Sequence, residues 1–143
     1  MAERDYSGTP LARKLGIKEG ALVVLLDAPE GFPPLLEPLP AGVRLRRQAR
    51  GPVDVVVLFA TSRARLAGRF GAGVRAIDAD GGLWVAWPKR TAAVATDLDF
   101  DFVQRLGLDA GLVDNKVAAI DATWTSVRFV VRVADRPAWR AGP

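Results

Sequence analysis

The chain contains no cysteine and no histidine. Without cysteine, disulfide bonds, thiolate nucleophiles and cysteine-ligated zinc are excluded. Without histidine, the most common general base and the most common metal ligand are missing. Ser-His-Asp and Cys-His mechanisms are therefore excluded, and any chemistry has to use carboxylate, lysine, tyrosine or hydroxyl groups. The sequence identifies no catalytic residue and no metal site.

Long apolar runs are also missing, since no segment approaches the roughly 20 apolar residues of a membrane span. The first seven residues are polar and lack the apolar core of a signal peptide. We therefore expect no membrane association and a cytoplasmic location. The 143 residues, half of them hydrophobic and a quarter charged, have the size and composition of one globular domain.

The charge balance is mildly basic, with 20 basic against 16 acidic residues and a net charge of +4. Such an excess permits contact with nucleic acid without requiring it. The candidate nucleic-acid-binding residues cluster around the predicted second strand: Arg44, Arg46, Arg47 and Arg50. Charge on an edge strand also prevents edge-to-edge pairing, and this alternative is the favoured interpretation of the cluster.

Four segments predict the first strands of a sheet. Residues 22–26 and 53–60 are continuous apolar runs, which is typical of central parallel strands covered on both faces. Residues 43–49 alternate between apolar and polar, which favours an edge position. Residues 83–87 form the fourth predicted strand, preceded by a predicted turn at Asp80-Gly81-Gly82.

Helices are predicted between and before these strands. The first begins with Thr9 as N-cap and Pro10 at the first helical position. The second runs from a Thr61 or Ser62 cap to about residue 77, and the third follows a capping box at residues 96–99. Residues 117–120 and 127–133 predict two further strands, and their short linker permits only an antiparallel hairpin.

Together these elements predict an α/β fold: a single three-layer Rossmann-like domain, with a mostly parallel six-stranded sheet and a C-terminal antiparallel hairpin. We expect the domain to span residues 9–134. Residues 1–8 are predicted to form a flexible N-terminal arm, and residues 135–143 a flexible C-terminal tail that exposes Trp139.

The order of elements resembles a shortened S-adenosylmethionine methyltransferase fold. Three segments are similar to those before strand one and in strands four and five of that fold: Lys18-Glu19-Gly20, Val53-Asp54-Val55-Val56 and Asp80-Gly81-Gly82-Leu83-Trp84-Val85. The resemblance implies a strand order of 2-1-3-4-6-5. It also implies that one strand and most of one helix are missing after strand two.

A closer resemblance covers nearly the whole chain and is carried by five motifs: Tyr6-Ser7-Gly8-Thr9-Pro10-Leu11, Trp87-Pro88-Lys89, Thr96-Asp97-Leu98, Gly111-Leu112-Val113-Asp114-Asn115-Lys116 and Thr123-Trp124. These are similar to an uncharacterised actinobacterial domain-of-unknown-function family, numbered three-zero-five-two. The sequence departs from that family at residues 92–95, where the family has a Ser-Gly-Val-Pro type of loop. This resemblance implies no activity.

A ligand site is expected at the carboxyl ends of the parallel strands, where α/β sheets bind their ligands. The candidate ligand-binding residues are Tyr6, Asp27, Trp87, Lys89, Asp114 and Lys116. They suit a small anionic or nucleotide-like ligand. The favoured interpretation of Asp27 is a turn in which the aspartate hydrogen-bonds to its own backbone, and that of Lys89 is a solvated loop position. A turn and a site explain Asp114 equally well. The alternation of strand faces predicts that Trp84 belongs to the core and Trp87 to the site.

No cofactor is expected, because the loop after the first strand is unsuited to one. It reads Asp-Ala-Pro-Glu-Gly-Phe, from Asp27 to Phe32, where a nucleotide-binding fold has a glycine-rich turn. The second strand ends at Gln48-Ala49-Arg50 and offers no acidic residue to the ribose hydroxyls of a nucleoside. A catalytic motif of the Asp/Asn-Pro-Pro-Tyr/Phe type is also absent.

These features favour a non-catalytic Rossmann-like binding or regulatory domain, an adaptor for a protein partner. One alternative is a small-molecule or nucleotide-binding methyltransferase-like enzyme. The other is a nucleic-acid-binding protein that uses its arginine-rich edge. The sequence indicates neither the oligomeric state nor the identity of a ligand or partner.

Overall fold

The computed structural model describes residues 9–142, so Tyr6 and the proposed N-terminal arm lie outside the described residues. Its strands are β1 (Leu22–Leu26), β2 (Arg44–Arg46), β3 (Val53–Phe59), β4 (Ile77–Pro88), β5 (Leu112–Ala119) and β6 (Trp124–Val131). Its helices are α1 (Leu11–Lys14), α2 (Phe32–Leu35), α3 (Arg63–Ala76) and α4 (Phe100–Asp109), and a 3₁₀ helix follows at Val133–Ala138.

The six strands form one sheet in the order β2-β1-β3-β4-β6-β5, the order that the methyltransferase resemblance implies. Strands β1 to β4 pair in parallel. Strand β6 is antiparallel to both of its neighbours, β4 and β5. Three of the five pairings are thus parallel and two are antiparallel. The sheet is therefore mixed, which corrects the expectation of a mostly parallel one.

The core lies on both faces of the sheet, which gives three layers. Helices α3 and α4 cover one face and α1 and α2 the other. Trp84 and Trp87 point to opposite faces, as their spacing predicts. Trp84 is fully buried, and its indole Nε1 donates to the carbonyl oxygen of Leu15 at 2.8 Å. This hydrogen bond joins the end of α1 to the centre of the sheet.

The predicted turn before the fourth strand lies inside β4 instead. Between the pairs Val53–Ile77 and Val55–Gly82, β4 advances by five residues while β3 advances by two, so β4 bulges. A Cβ atom at Gly81 would lie 2.8 Å from a carbonyl oxygen of β3. Glycine is needed here for the close approach of two strands rather than for a turn.

Helix starts also differ from those predicted. Asp99, not Thr96, is the N-cap of α4, and its Oδ1 accepts a hydrogen bond from the amide of Phe102 at 2.8 Å. The Thr96 hydroxyl instead accepts from the amide of Leu98, so the capping motif begins three residues later than expected. The N-cap of α1 is Pro10, one residue after the predicted cap.

The segment from Asp135, predicted to be a flexible tail, makes specific contacts with the sheet and with the end of α3. The indole Nε1 of Trp139 donates to the carbonyl oxygen of Ile77 at 2.9 Å. The amide of Gly142 donates to the carbonyl oxygen of Arg75 at 2.8 Å. These contacts cannot be predicted from the sequence, because a single tryptophan beyond the last strand has no periodic pattern.

Candidate functional site

The carboxyl ends of β1 and β3 form the crevice where a doubly wound sheet binds its ligand. In this protein the crevice contains a cavity of only about 250 Å³. Its lining residues are Asp27, Phe59, Ala60, Thr61, Arg65 and Trp124. Ligand pockets commonly measure about 300–1,000 Å³, so this crevice is small for a nucleoside.

Three aromatic side chains fill the space beside this crevice, and we call Phe32, Phe59 and Trp124 the aromatic cluster. Phe32 is only 1% exposed. Its ring packs edge-on against Phe59 with centroids 4.7 Å apart, and Phe59 packs edge-on against Trp124 at 5.1 Å. Helix α2 begins at Phe32, so the loop after β1 carries an aromatic ring inward where a glycine-rich loop would leave room for a ligand.

Asp27 follows β1 directly and has a left-handed backbone conformation, with φ of 57°. Aspartate is one of the few residues besides glycine that adopts this conformation. Its Oδ2 lies 3.2 Å from Nε of Arg69 in α3, and both side chains are about half exposed. Asp27 is thus at the predicted edge of the sheet, but it forms an ion pair rather than the expected hydrogen bond to its own turn.

A larger cavity of about 830 Å³ opens at the carboxyl end of β4, and we call it the β4 cleft. It is lined by Trp87, Pro88, Lys89, Arg90, Val94, Ala95, Thr96, Asp97, Leu98, Asp99, Phe100 and Thr125. Two of the predicted site residues, Trp87 and Lys89, therefore meet in one cavity. The indole of Trp87 is only 6% exposed, so it serves both the core and the floor of the cleft.

One wall of the β4 cleft is held in place by Arg63, the first residue of α3. Its amide donates to Asp97 Oδ1 and its Nε to the Asp97 carbonyl oxygen, both at 2.8 Å. Its guanidinium also lies 4.6 Å from the ring centroid of Phe102 and 3.9 Å from Oδ2 of Asp99. Both carboxylates in the wall are therefore occupied by contacts within the protein.

The opposite rim of the β4 cleft carries Lys89 and Arg90. Among residues 9–142, neither side chain has a carboxylate within 4 Å. The amide of Lys89 donates to the carbonyl oxygen of Thr123 at 2.7 Å, which fixes the backbone of the rim to the β5–β6 connection. Two cations thus face a cleft whose own carboxylates are already paired, and an acidic ligand group would complement them.

Asp114 and Lys116 lie away from this cleft, which corrects their predicted position. Strand β5 begins at Leu112, five residues before the predicted start, so both residues belong to the strand and lie toward the amino edge of the sheet. The Asp114 carboxylate accepts from Nε2 of Gln104 in α4 at 3.3 Å. The polar side chains are explained by the position of β5 at the sheet edge.

The arginine cluster lies on and after β2, the other edge of the sheet. All four arginines, Arg44, Arg46, Arg47 and Arg50, are exposed. Within residues 9–142 none of them forms an ion pair. The edge position of β2 is as predicted, and the two interpretations of its charge both stay open.

The sequence marks Arg63 only as one of several helix arginines suited to phosphate contacts, and does not predict its place in the wall of the cleft. It predicts neither the role of Arg90 nor the inward position of Phe32. Arg90 adjoins Lys89 and could have been found from that neighbour, but the partners of Arg63 lie 34 or more residues away. In the part of the chain that the structure describes, no group of three or more acidic residues is placed to hold a metal ion. No helix among those residues is long and apolar enough to cross a membrane.

A scan against protein-family models matches no family, and a search of curated proteins finds no relative. Solved structures do resemble the chain. A SAM-dependent methyltransferase from Aquifex aeolicus aligns with a TM-score of 0.56 and 14% identity, over 85% of this chain and 88% of that one. The structure of LepI in complex with SAM aligns with a TM-score of 0.50 and 13% identity, over 92% of this chain and 49% of that one.

These likenesses define the class of the fold: the protein has the α/β fold of the SAM-dependent methyltransferases. The chain spans about half the length of LepI. At 13% and 14% identity the likeness establishes the fold and nothing of the activity. Membership of the numbered actinobacterial family stays a prediction.

Proposed function

We propose that this protein is a small-molecule-binding domain of the methyltransferase fold whose ligand occupies the β4 cleft. The observation that carries the proposal is the difference in size between two cavities at the carboxyl ends of the strands. About 830 Å³ lies beside Lys89 and Arg90, whereas the usual crevice beside β1 is reduced to about 250 Å³ next to the aromatic cluster. The ligand site has moved from β1 to the carboxyl end of β4.

The lining of the cleft selects the chemistry of its ligand. Lys89 and Arg90 provide cationic donors for a carboxylate or a phosphate. Leu98 and Phe100 add apolar surface next to Trp87. The matching ligand is a small molecule with one acidic group and an apolar or aromatic body.

Methyl transfer from S-adenosylmethionine is the second candidate function, and the fold of the solved neighbours favours it. Two features of the chain argue against it. Phe32 projects inward after β1, and β2 ends in arginines where the ribose hydroxyls of the cofactor need an acid. The adaptor function and the nucleic-acid-binding function stay predictions, each depending on surfaces rather than on this cleft.

Binding measurements by native mass spectrometry and calorimetry test the proposal. The panel comprises small aromatic and aliphatic carboxylates, nucleotides, S-adenosylmethionine and S-adenosylhomocysteine. We expect at least one acid to bind to the wild-type protein. The same acid should bind at least about tenfold more weakly to Lys89→Ala and to Arg90→Ala, since a hydrogen bond to a charged group contributes about 1.5–3 kcal/mol.

Lys116→Ala is the matched control, because it removes the same charge from the exposed side of β5, away from the cleft. Equal affinity for wild type, Lys89→Ala and Arg90→Ala would contradict the proposal. So would a panel in which no acid binds. Binding of S-adenosylmethionine that Phe32→Trp abolishes would instead place a ligand beside β1, as the second candidate requires.

A further inference from the structure

A third cavity, of about 420 Å³, lies at the opposite edge of the sheet, where the parallel strands begin. We call it the amino-edge cavity. Its charged lining residues are Lys18, Glu19, Asp54, Asp80 and Arg128. No residue of the β4 cleft lines it, so the two cavities are separate.

Arg128 is the most buried of these charges. It lies in β6 opposite Trp84, and its guanidinium extends over Gly82 in β4. A Cβ atom at position 82 would lie 2.8 Å from one terminal nitrogen of this guanidinium and even closer to its Nε. The absence of a side chain at Gly82 therefore creates the place that Arg128 occupies.

The guanidinium of Arg128 has no acidic partner among residues 9–142. No carboxylate there lies within 4 Å of it, and it donates no hydrogen bond to the described residues. Burial lowers the pKa of Arg128, and the nearby Arg136 lowers it further. A partly desolvated cation beside another cation is unfavourable unless something else supplies the acceptor.

The carboxylates of the amino-edge cavity do not fill this role. Oδ2 of Asp54 accepts the amide of Leu22 at 2.8 Å, which joins β3 to the start of β1. Glu19 and Asp80 are exposed, so they lie at the rim while Arg128 is half-buried. Asp54 is exposed as well, so the cavity has the half-buried Arg128 in its interior and a rim that carries three carboxylates and Lys18.

We propose that the amino-edge cavity binds a small zwitterion of the α-amino-acid class. Arg128 accommodates the carboxylate through two parallel N–H donors, the geometry that suits a guanidinium. Glu19 and Asp80 face the ammonium group at the rim. The same two carboxylates repel a dianion, so an inorganic phosphate is excluded while a molecule with both charges is accepted.

Calorimetric titration of the full chain tests this site. The probes are the twenty standard amino acids, with acetate, methylamine and inorganic phosphate as partial ligands. At least one amino acid is expected to bind. Acetate and methylamine should each bind at least tenfold more weakly than that amino acid. Arg128→Met should weaken that binding tenfold or more. Arg132→Met removes an exposed arginine beyond the end of the same strand and should leave it unchanged.

Two further variants separate a binding role of Arg128 from a structural one. Without ligand, Arg128→Met should melt at the same or a higher temperature, because it removes a partly desolvated charge that has no acidic partner among residues 9–142. Gly82→Ala keeps the charge but displaces the guanidinium, so it should lose amino-acid binding as Arg128→Met does. Lys89→Ala should leave amino-acid binding intact, which distinguishes this site from the β4 cleft.

Several results would overturn the proposal: no amino acid binds, phosphate binds more tightly than every amino acid, or Arg128→Met binds as well as wild type. A melting temperature of ligand-free Arg128→Met that falls by several degrees would assign Arg128 to the stability of the sheet instead. None of these results bears on the acid-binding function of the β4 cleft, which is measured with Lys89→Ala.

Discussion

Phe32 and Phe59 pack edge to face with their ring centroids 4.7 Å apart, at the point where a methyltransferase fold normally opens to its ligand. Phe59 ends β3, and Phe32 begins the short helix after the β1 loop. The contact joins the end of β3 to the helix that follows β1. The architecture of the fold is therefore retained, while the space beside β1 is used for packing.

Phe32→Ala tests how much this packing contributes. The side chain is 1% exposed, so its removal leaves a cavity, and we expect the free energy of unfolding to fall by about 3–5 kcal/mol. Urea denaturation followed by circular dichroism measures the change. Leu35→Ala, in the same helix but 42% exposed, is the control and should cost less than about 1 kcal/mol. Equal losses in the two variants would contradict the packing role.

The backbone conformation of Asp27 predicts an unusual order of stabilities. Both Asp27→Gly and Asp27→Ala lose the ion pair with Arg69, but only alanine keeps a Cβ atom at a φ of 57°. We expect the glycine variant to be more stable than the alanine variant by about 1 kcal/mol.

The neighbouring residue provides the control for this comparison. Ala28 does not have a positive φ, so Ala28→Gly should follow the ordinary order and destabilise by about 0.5–1 kcal/mol. Thermal unfolding of the three variants at one pH measures both differences. A more stable alanine variant at position 27 would show that the left-handed conformation is absent in solution.

Helix α4 is capped by Asp99 and not by Thr96, and substitutions at the two positions should differ in their effect on stability. Asp99 accepts a hydrogen bond from the amide of Phe102, so Asp99→Ala should lower the free energy of unfolding by about 1 kcal/mol. Asp99→Asn, which retains the acceptor oxygen, should recover most of that loss. Thr96→Ala should lower the free energy of unfolding by less than Asp99→Ala does, because Thr96 closes a turn outside the helix. Chemical denaturation would contradict this assignment if Thr96→Ala were the more damaging change.

Docking of the C-terminal segment depends on Trp139. Its indole packs against the core and donates to the carbonyl oxygen of Ile77, so Trp139→Ala should destabilise by about 1–3 kcal/mol. Trp139→Phe keeps the apolar contact but loses the hydrogen bond, so its stability should lie between those of wild type and Trp139→Ala. Arg140→Ala is the exposed control. Amide hydrogen exchange at Gly142 should accelerate in Trp139→Ala alone, and unchanged protection there would contradict the docked arrangement.

Much of the fold could be predicted because its central strands are continuous apolar runs. The segments at 22–26 and 53–60 match β1 and β3 closely, and both strands are largely buried. Strand β5 was placed too late because Asp114 and Lys116 are polar and resemble a loop when an edge strand leaves them partly exposed. The bulge in β4 was missed because glycine signals a turn and a close strand contact equally.

The candidate site was predicted only in part for a related reason. Trp87 lies at the end of a recognisable strand and Lys89 follows it, so their place at its carboxyl end could be inferred. The pairing of Asp27 with Arg69 joins residues 42 positions apart, and no local pattern reports it. The same holds for Arg128, whose position over Gly82 depends on the pairing of β4 with β6.

Amide NMR of ¹⁵N-labelled protein distinguishes a ligand site at the β4 cleft from one beside β1. The protein is titrated separately with an acid that binds and with S-adenosylmethionine. We expect saturable shifts at residues 89–90 and 95–99 with the acid, and no saturable shift at residues 27–31 with S-adenosylmethionine. Saturable shifts at residues 27–31 with S-adenosylmethionine would contradict this expectation and return the site to the crevice beside Phe32.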